Sequence, residues 1–365
     1  MNIRKRDFLK AVGGLAAAGT VLAQEGPVVA GRGPAAGRGG PAPVSSGVQS
    51  SSVDYNYKPR RLNKVIELWE ANQPIYYTGA GLGPGVDPYA QGVRMARTYA
   101  DAVTVDFEHG AMDFTQLREF MRGIKDGGPT RSGHATPCVF VTSGIIGLDE
   151  SYARANTWIM TQFLDAGVHG VHICHARDPK AIEVLAQEGC RYPFLDYPTP
   201  KVARRGLRGS SAGFAAQIWG MGGAEYCAKA DLWPLNPNGE LIFGVKIEDT
   251  IADLQVEKTL SLPGIAFAEG GGGDHGYWVY GLSVMNEDGT RAAPAPEKKA
   301  EFDKAMATVI GLCKKYNVRY LAGGSTNPDA PNFVHKVIDS GQMVIESGED
   351  VAIMGREYSK RKMPV

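Results

Sequence analysis

Residues 102–110 read Ala-Val-Thr-Val-Asp-Phe-Glu-His-Gly, a short β-branched run that stops in two carboxylates and an imidazole. A brief apolar run bounded by glycine is the mark of a buried strand. The same pattern recurs at 75–79, 138–143, 170–175, 241–248, 264–269, 318–323 and 342–346. Helical periodicity fills most of the intervals, at 63–71, 114–125, 156–166, 181–187, 251–260, 298–316 and 332–340. Strands that alternate with helices form a parallel sheet, because every connection must cross over a sheet face. Eight such units predict an α/β fold, the (β/α)8 TIM barrel, over residues 59–365. The competing doubly wound sheet requires a G-x-G-x-x-G turn after its first strand. Residues 79–85 are Gly-Ala-Gly-Leu-Gly-Pro-Gly, and Pro84 and Val86 fill the places the third glycine needs.

A barrel carries its chemistry where strands end. Besides Asp106, Glu108 and His109, the run at 241–248 ends in Lys246, Glu248 and Asp249. The run at 264–269 continues Glu-Gly-Gly-Gly-Gly-Asp-His, which presents Glu269, Asp274 and His275. Carboxylates from adjacent strands, completed by water and substrate oxygens, suit Mg²⁺ or Mn²⁺. A nearby histidine can move a proton near neutral pH.

The chain has 39 Lys+Arg and 39 Asp+Glu, and this balance excludes a protein that works by neutralising nucleic-acid phosphates. Cys138, Cys174, Cys190, Cys227 and Cys313 form no C-x-x-C pair and are expected to be buried free thiols. Residues 1–23 join Arg4, Lys5 and Arg6 to a weakly apolar Gly/Ala stretch, as an export signal does, and 5–10 resemble the twin-arginine type. Its removal would leave the mature chain at a net charge of −3. The Gly/Pro/Ala/Ser-rich residues 24–58 are expected to be a flexible linker. Periplasmic or secreted location, with no membrane association after cleavage, follows.

The D-x-E-H of 106–109, the K-I-E of 246–248 and the glycine run before Asp274 resemble the HpcH/HpaI aldolase, citrate-lyase-like family. Phe-Leu-Asp-Ala-Gly-Val-His-Gly-Val at 163–171, Arg-Tyr-Pro at 191–193 and Gly-Leu-Arg-Gly at 206–209 agree. The resemblance implies a pyruvate/phosphoenolpyruvate-type barrel that cleaves 2-oxo-3-deoxy-4-hydroxy acids to pyruvate and an aldehyde. It implies Glu248 and Asp274 as ligands of a divalent metal (Mg²⁺ or Mn²⁺, with Co²⁺ or Zn²⁺ as other candidates) that stabilises an enolate. His109 would be the acid/base, oriented by Asp106, and the backbone N–H groups of Gly273 and Asp274 would hold the substrate carboxylate. A homo-oligomer, a hexamer, is implied too.

The family's arginine at the end of the third strand is absent, since no Arg lies between Cys138 and Gly144. Lys246 lies two residues before Glu248 and so shares its strand face, and it is the candidate replacement cation or a Schiff-base amine. Glu108 and His175 are further substrate-binding candidates, whereas His169 and His172 are read as structural. Period-two geometry turns His172 and His175 to opposite faces. Longer segments near the glycine run and at 193–206, with Pro198 and Pro200, point to a substrate unlike a sugar-derived 2-oxo acid. The alternatives are another carbon–carbon lyase of the same superfamily, or an exported carboxylate-binding protein without catalysis. His109 favours an enzyme, because a binder needs no proton shuttle.

Overall fold

A computed structural model describes residues 50–195, 202, 204–281, 293–322 and 331–365. Its strands are β1 (Ile75–Ala80), β2 (Ala102–Asp106), β3 (Cys138–Ile146), β4 (Gly170–Cys174), β5 (Leu232–Trp233), β6 (Leu241–Lys246), β7 (Phe267–Glu269), β8 (Arg319–Ala322) and β9 (Gln342–Glu346). Every pairing is parallel, and the order β4-β3-β2-β1-β9-β8-β7-β6 closes through a β4–β6 ladder. The expected eight-stranded barrel with helices between its strands is therefore present. The two-residue β5 pairs with the start of β6.

Parallel closure puts all eight C-terminal strand ends on one rim. Five of the helices that follow begin there on an aspartate: Asp87, Asp113, Asp149, Asp178 and Asp249 each accept a backbone N–H of the first turn. Such a cap satisfies an otherwise orphaned donor and is worth about 1 kcal/mol over alanine. At the opposite end the helix Lys64–Glu70 plugs the barrel. Its Trp69 stacks on Trp233 at 5.9 Å and lies 6.2 Å from Phe267. The lower interior is filled by Ile75, Tyr77, Ala102, Phe140, Ile242, Phe267, Leu321 and Val344. Burying an apolar side chain of this size stabilises by about 1.5–3 kcal/mol, so this end is a packed floor and not a passage.

Asp101, fully buried below β2, accepts from the Tyr76 N–H at 3.0 Å and pairs with Lys64 at 3.1 Å and Arg361 at 2.7 Å. One carboxylate thus ties the plug helix, β1 and the C-terminal segment. Residues 50–58, the end of the expected linker, lie against the barrel. The Ser51 N–H donates to Glu357 at 2.7 Å and the Asp54 N–H to the Lys362 carbonyl at 2.9 Å. The expected export signal and Pro198 and Pro200 lie outside the described residues. No helix among the described residues is long and apolar enough to cross a membrane.

Candidate active site

β2 ends at Asp106, and the chain then turns sharply. Asp106 Oδ1 accepts the N–H groups of Glu108 (2.8 Å) and His109 (3.3 Å), a side chain closing its own turn. The other oxygen, Oδ2, lies 3.1 Å from His109 Nδ1 and orients the imidazole. Asp106 and His109 are half exposed, but Glu108 folds inward to within 2.7 Å of Lys246 Nζ and 3.6 Å of His109 Nδ1.

Lys246 and Glu248 lie two residues apart and both face the barrel interior. Lys246 Nζ sits 2.6 Å from Glu248 Oε2, so one ammonium lies between two carboxylates. Burial opposes the charge on Lys246, but Glu269, Cys174, Glu248 and Glu108 outweigh it and hold the ammonium well above its ordinary pKa. Burial raises the Glu248 carboxyl, against the pull of Lys246. Lys246 is thus a charged group, poorly disposed to act as a Schiff-base amine, which must be neutral.

His175 lies just past β4 with φ +44°, a left-handed conformation that is costly for a side chain with a Cβ. This conformation ends the strand alternation, and both His172 and His175 border the site. The expectation that they face opposite ways does not apply to a residue beyond the strand end. The His175 N–H donates to Glu248 Oε1 at 2.9 Å, and its Nδ1 lies 2.7 Å from Asp249 Oδ2. Arg177 donates to the same Asp249 oxygen at 2.8 Å, and its guanidinium lies over the Trp278 ring. The hydrogen bond that His175 donates to Asp249 raises the imidazole, and the bonds Asp249 accepts from His175 and Arg177 hold its carboxyl below the usual carboxylate range despite burial.

The glycine run folds differently from a plain loop. The helix Gly272–Tyr280 starts inside it, so Gly273 and Asp274 stand in the first turn, where backbone N–H groups lack helical partners. Gly271 has φ +59°, and a Cβ there would fall 2.1 Å from Glu248 Cβ. The run therefore lies directly on Glu248, which only glycine permits. His275 is turned away, with Nε2 2.8 Å from Asp253 and Nδ1 3.0 Å from the Gly270 carbonyl.

Two groups of potential ligands lie close among the described residues: Asp106, Glu108 and His109, and Glu108, Cys174 and Glu248, the atoms of each within 4.8 Å of one another. Asp274 belongs to neither. Burial raises the Cys174 thiol well above its ordinary range, which leaves it a poor ligand beside two carboxylates. The remaining donors are hard oxygens, and the buried Glu248 Oε2 already faces a cation, the Lys246 ammonium at 2.6 Å. A magnesium-like or manganese-like ion fits this donor set.

The structure brings together Asp106, Glu108 and His109 after β2, Lys246 and Glu248 at the end of β6 and His175 after β4, while Gly273 and Asp274 stand in the first turn of the helix Gly272–Tyr280. On β3, which carries no arginine, Thr142 Oγ1 lies 3.4 Å from Thr104 Oγ1. Three features were not anticipated. The first is the bridge that Asp249, noted in the sequence only as a strand-end carboxylate, makes between His175 and Arg177. Cys174 reads as a core thiol; all five cysteines are indeed free and buried. The third is Glu346 at the end of β9, whose Oε2 lies 3.5 Å from the Tyr77 hydroxyl.

No family model and no curated protein sequence matches this chain. Solved structures do match. A HpcH/HpaI aldolase/citrate lyase family protein from Burkholderia cenocepacia J2315 is 18% identical with a TM-score of 0.53, over 81% of this chain and 96% of that one. Macrophomate synthase is 18% identical with a TM-score of 0.52, over 86% and 95%. The HpcH/HpaI aldolase from Desulfitobacterium hafniense DCB-2 is 17% identical with a TM-score of 0.50, over 81% and 93%. The chain has the barrel fold of the HpcH/HpaI aldolase and citrate lyase proteins, the family that its strand-end motifs resemble.

Proposed function

We propose that this chain is a divalent-metal-dependent carbon–carbon lyase that cleaves a 2-oxo-4-hydroxy acid to a short 2-oxo acid and an aldehyde. The observation that carries this reading is the convergence of a buried carboxylate, Glu248, with an acid/base pair, His109–Asp106, through Glu108. Glu248, Glu108 and Asp274 would hold the ion, which supplies Lewis acidity to the oxygens of the 2-oxo acid. The first-turn N–H groups of Gly273 and Asp274 donate to the substrate carboxylate. Lys246 stands in for the missing arginine, since its ammonium is the buried cation nearest Glu248 Oε2 among the described residues. His109 takes the proton of the C4 hydroxyl as the C3–C4 bond breaks, and Asp106 keeps Nδ1 engaged so that Nε2 is the working atom. Returned to C3, that proton completes the three-carbon product.

The test is exchange of the C3 protons of pyruvate in D₂O, with and without a chelator, in wild type and Glu248→Gln. Metal-dependent exchange lost in the variant supports the lyase. Metal-dependent binding of pyruvate without exchange would replace it with the carboxylate-binding reading. Export of the mature chain, a divalent ion of the Mg²⁺ or Mn²⁺ type and a hexameric assembly belong to the same proposal. Periplasmic fractionation and sedimentation of the mature chain test the first and last.

A further inference from the structure

One buried polar atom on the floor of this site is used by nothing described above. His172, on β4, is 2% exposed, and its ring lies 4.8 Å from that of Phe267 and 6.4 Å from that of Phe140. One ring nitrogen bonds the backbone of Val245. The other, Nε2, has no hydrogen-bond partner among the described residues and lies 3.9 Å from Glu269 Oε2. Burial keeps the imidazole neutral, lowering it to about 3, so Nε2 presents a bare lone pair. Leaving such an acceptor unmet costs about 1–3 kcal/mol.

Glu269 ends β7 directly across from Lys246 in the β6–β7 register, and its side chain is 23% exposed toward the opening. Its carboxyl group can share a hydrogen bond with an oxygen placed between the two side chains. A gap of 3.9 Å is too long for a direct hydrogen bond, but it admits one oxygen about 2.8 Å from each atom. That oxygen must donate to His172 Nε2. The place is beside Lys246 and therefore next to Glu248, under the half of the substrate nearest the ion. An aldehyde arriving through the open rim is farther away.

We propose that His172 and Glu269 form a hydroxyl subsite, so that the three-carbon half carries a hydroxyl on C3 and is of the hydroxypyruvate type. A methyl group at that place leaves the His172 lone pair unmet, whereas a hydroxymethyl group fills the gap. Sites built to bond a hydroxyl reject the analogue that lacks it, by factors far above those of a shape mismatch. The inference rests on the lyase reading and narrows its substrate.

The experiment measures C3 proton exchange in D₂O for hydroxypyruvate and for pyruvate, each against blanks without enzyme and with chelator. Wild type is expected to favour hydroxypyruvate at least tenfold in metal-dependent kcat/KM. His172→Phe, which keeps the ring packing, and Glu269→Ala are each expected to lower this ratio at least fivefold. Because it is a ratio within one preparation, it does not depend on how much of a variant folds. Equal use of the two acids by wild type, or an unchanged ratio in His172→Phe, overturns the subsite and leaves the lyase standing. Absence of metal-dependent exchange with either acid overturns the lyase reading, and the subsite with it.

Discussion

Replacing Lys246 separates metal binding from catalysis, because the ammonium lies where an ion held by Glu248 must come. Its Nζ is 2.6 Å from Glu248 Oε2 and 2.7 Å from Glu108 Oε2. An ion bound to that Glu248 oxygen at ~2.1 Å can lie no more than about 4.7 Å from the ammonium. At an effective dielectric of ~20, a divalent and a univalent cation at that distance repel by about 7 kcal/mol. Withdrawal of the lysine toward Glu269 and penetration of water relieve most of this. If one fifth to two fifths remains, about 1.4–2.8 kcal/mol, Lys246→Gln binds the ion about 10- to 100-fold more tightly than wild type. Turnover is expected to move the opposite way, because the variant loses the cation that faces the developing charge. Titration with Mn²⁺, followed by the EPR signal of the free ion, measures the affinity, and Glu248→Gln serves as the control that loses it. A Lys246→Gln affinity within twofold of wild type, or weaker, would refute the placement of the ion on Glu248.

Three further outcomes are expected. Glu269 has a folded pKa of about 7, raised by burial, so the folded state holds a proton that the unfolded chain releases above its ordinary value. Stability from this group is present at acid pH and is lost as pH rises toward 7; with chelator present, Glu269→Gln should gain about 1–3 kcal/mol over wild type between pH 5 and 8, read by urea melts. Gly271→Ala forces a Cβ against Glu248 at a left-handed φ, and should cost about 1–3 kcal/mol and weaken Mn²⁺ binding at least tenfold. Asp249→Ala leaves His175 and Arg177 without their shared acceptor, and should lower Tm by several degrees while dropping the His175 pKa, measured by NMR titration.

The barrel was legible because parallel strands are buried on both faces and read as unbroken apolar runs, so polar residues at 106–109 and 246–249 stand out as strand ends. The helices after the strands were less legible. Gly272–Tyr280 begins within a glycine run that has no helical propensity, and the chain continues there as a helix against Glu248. Side-chain direction was legible only inside strands. Alternation places Lys246 beside Glu248 correctly, but it fails for His175, where a positive φ redirects the chain. Which carboxylates meet depends on closure of the ring. Glu108 and Lys246 are 138 residues apart, and no local pattern announces their pairing.

Asp101 bears on how this chain reaches its native state. Its carboxylate is satisfied jointly by residues near positions 64, 76 and 361, so the first strands of the barrel have only the Lys64 part of its counter-charge until residue 361 has been synthesised. A half-barrel ending before residue 361 would bury Asp101 beside Lys64 without the guanidinium of Arg361, and would also expose two open sheet edges. Ring closure and completion of the ion cluster around Asp101 are then both late, long-range events. Such topology folds slowly and all at once, with little independent stability in either half. Loss of the last few residues should accordingly be felt as failure of the whole barrel to persist, rather than as fraying at one end.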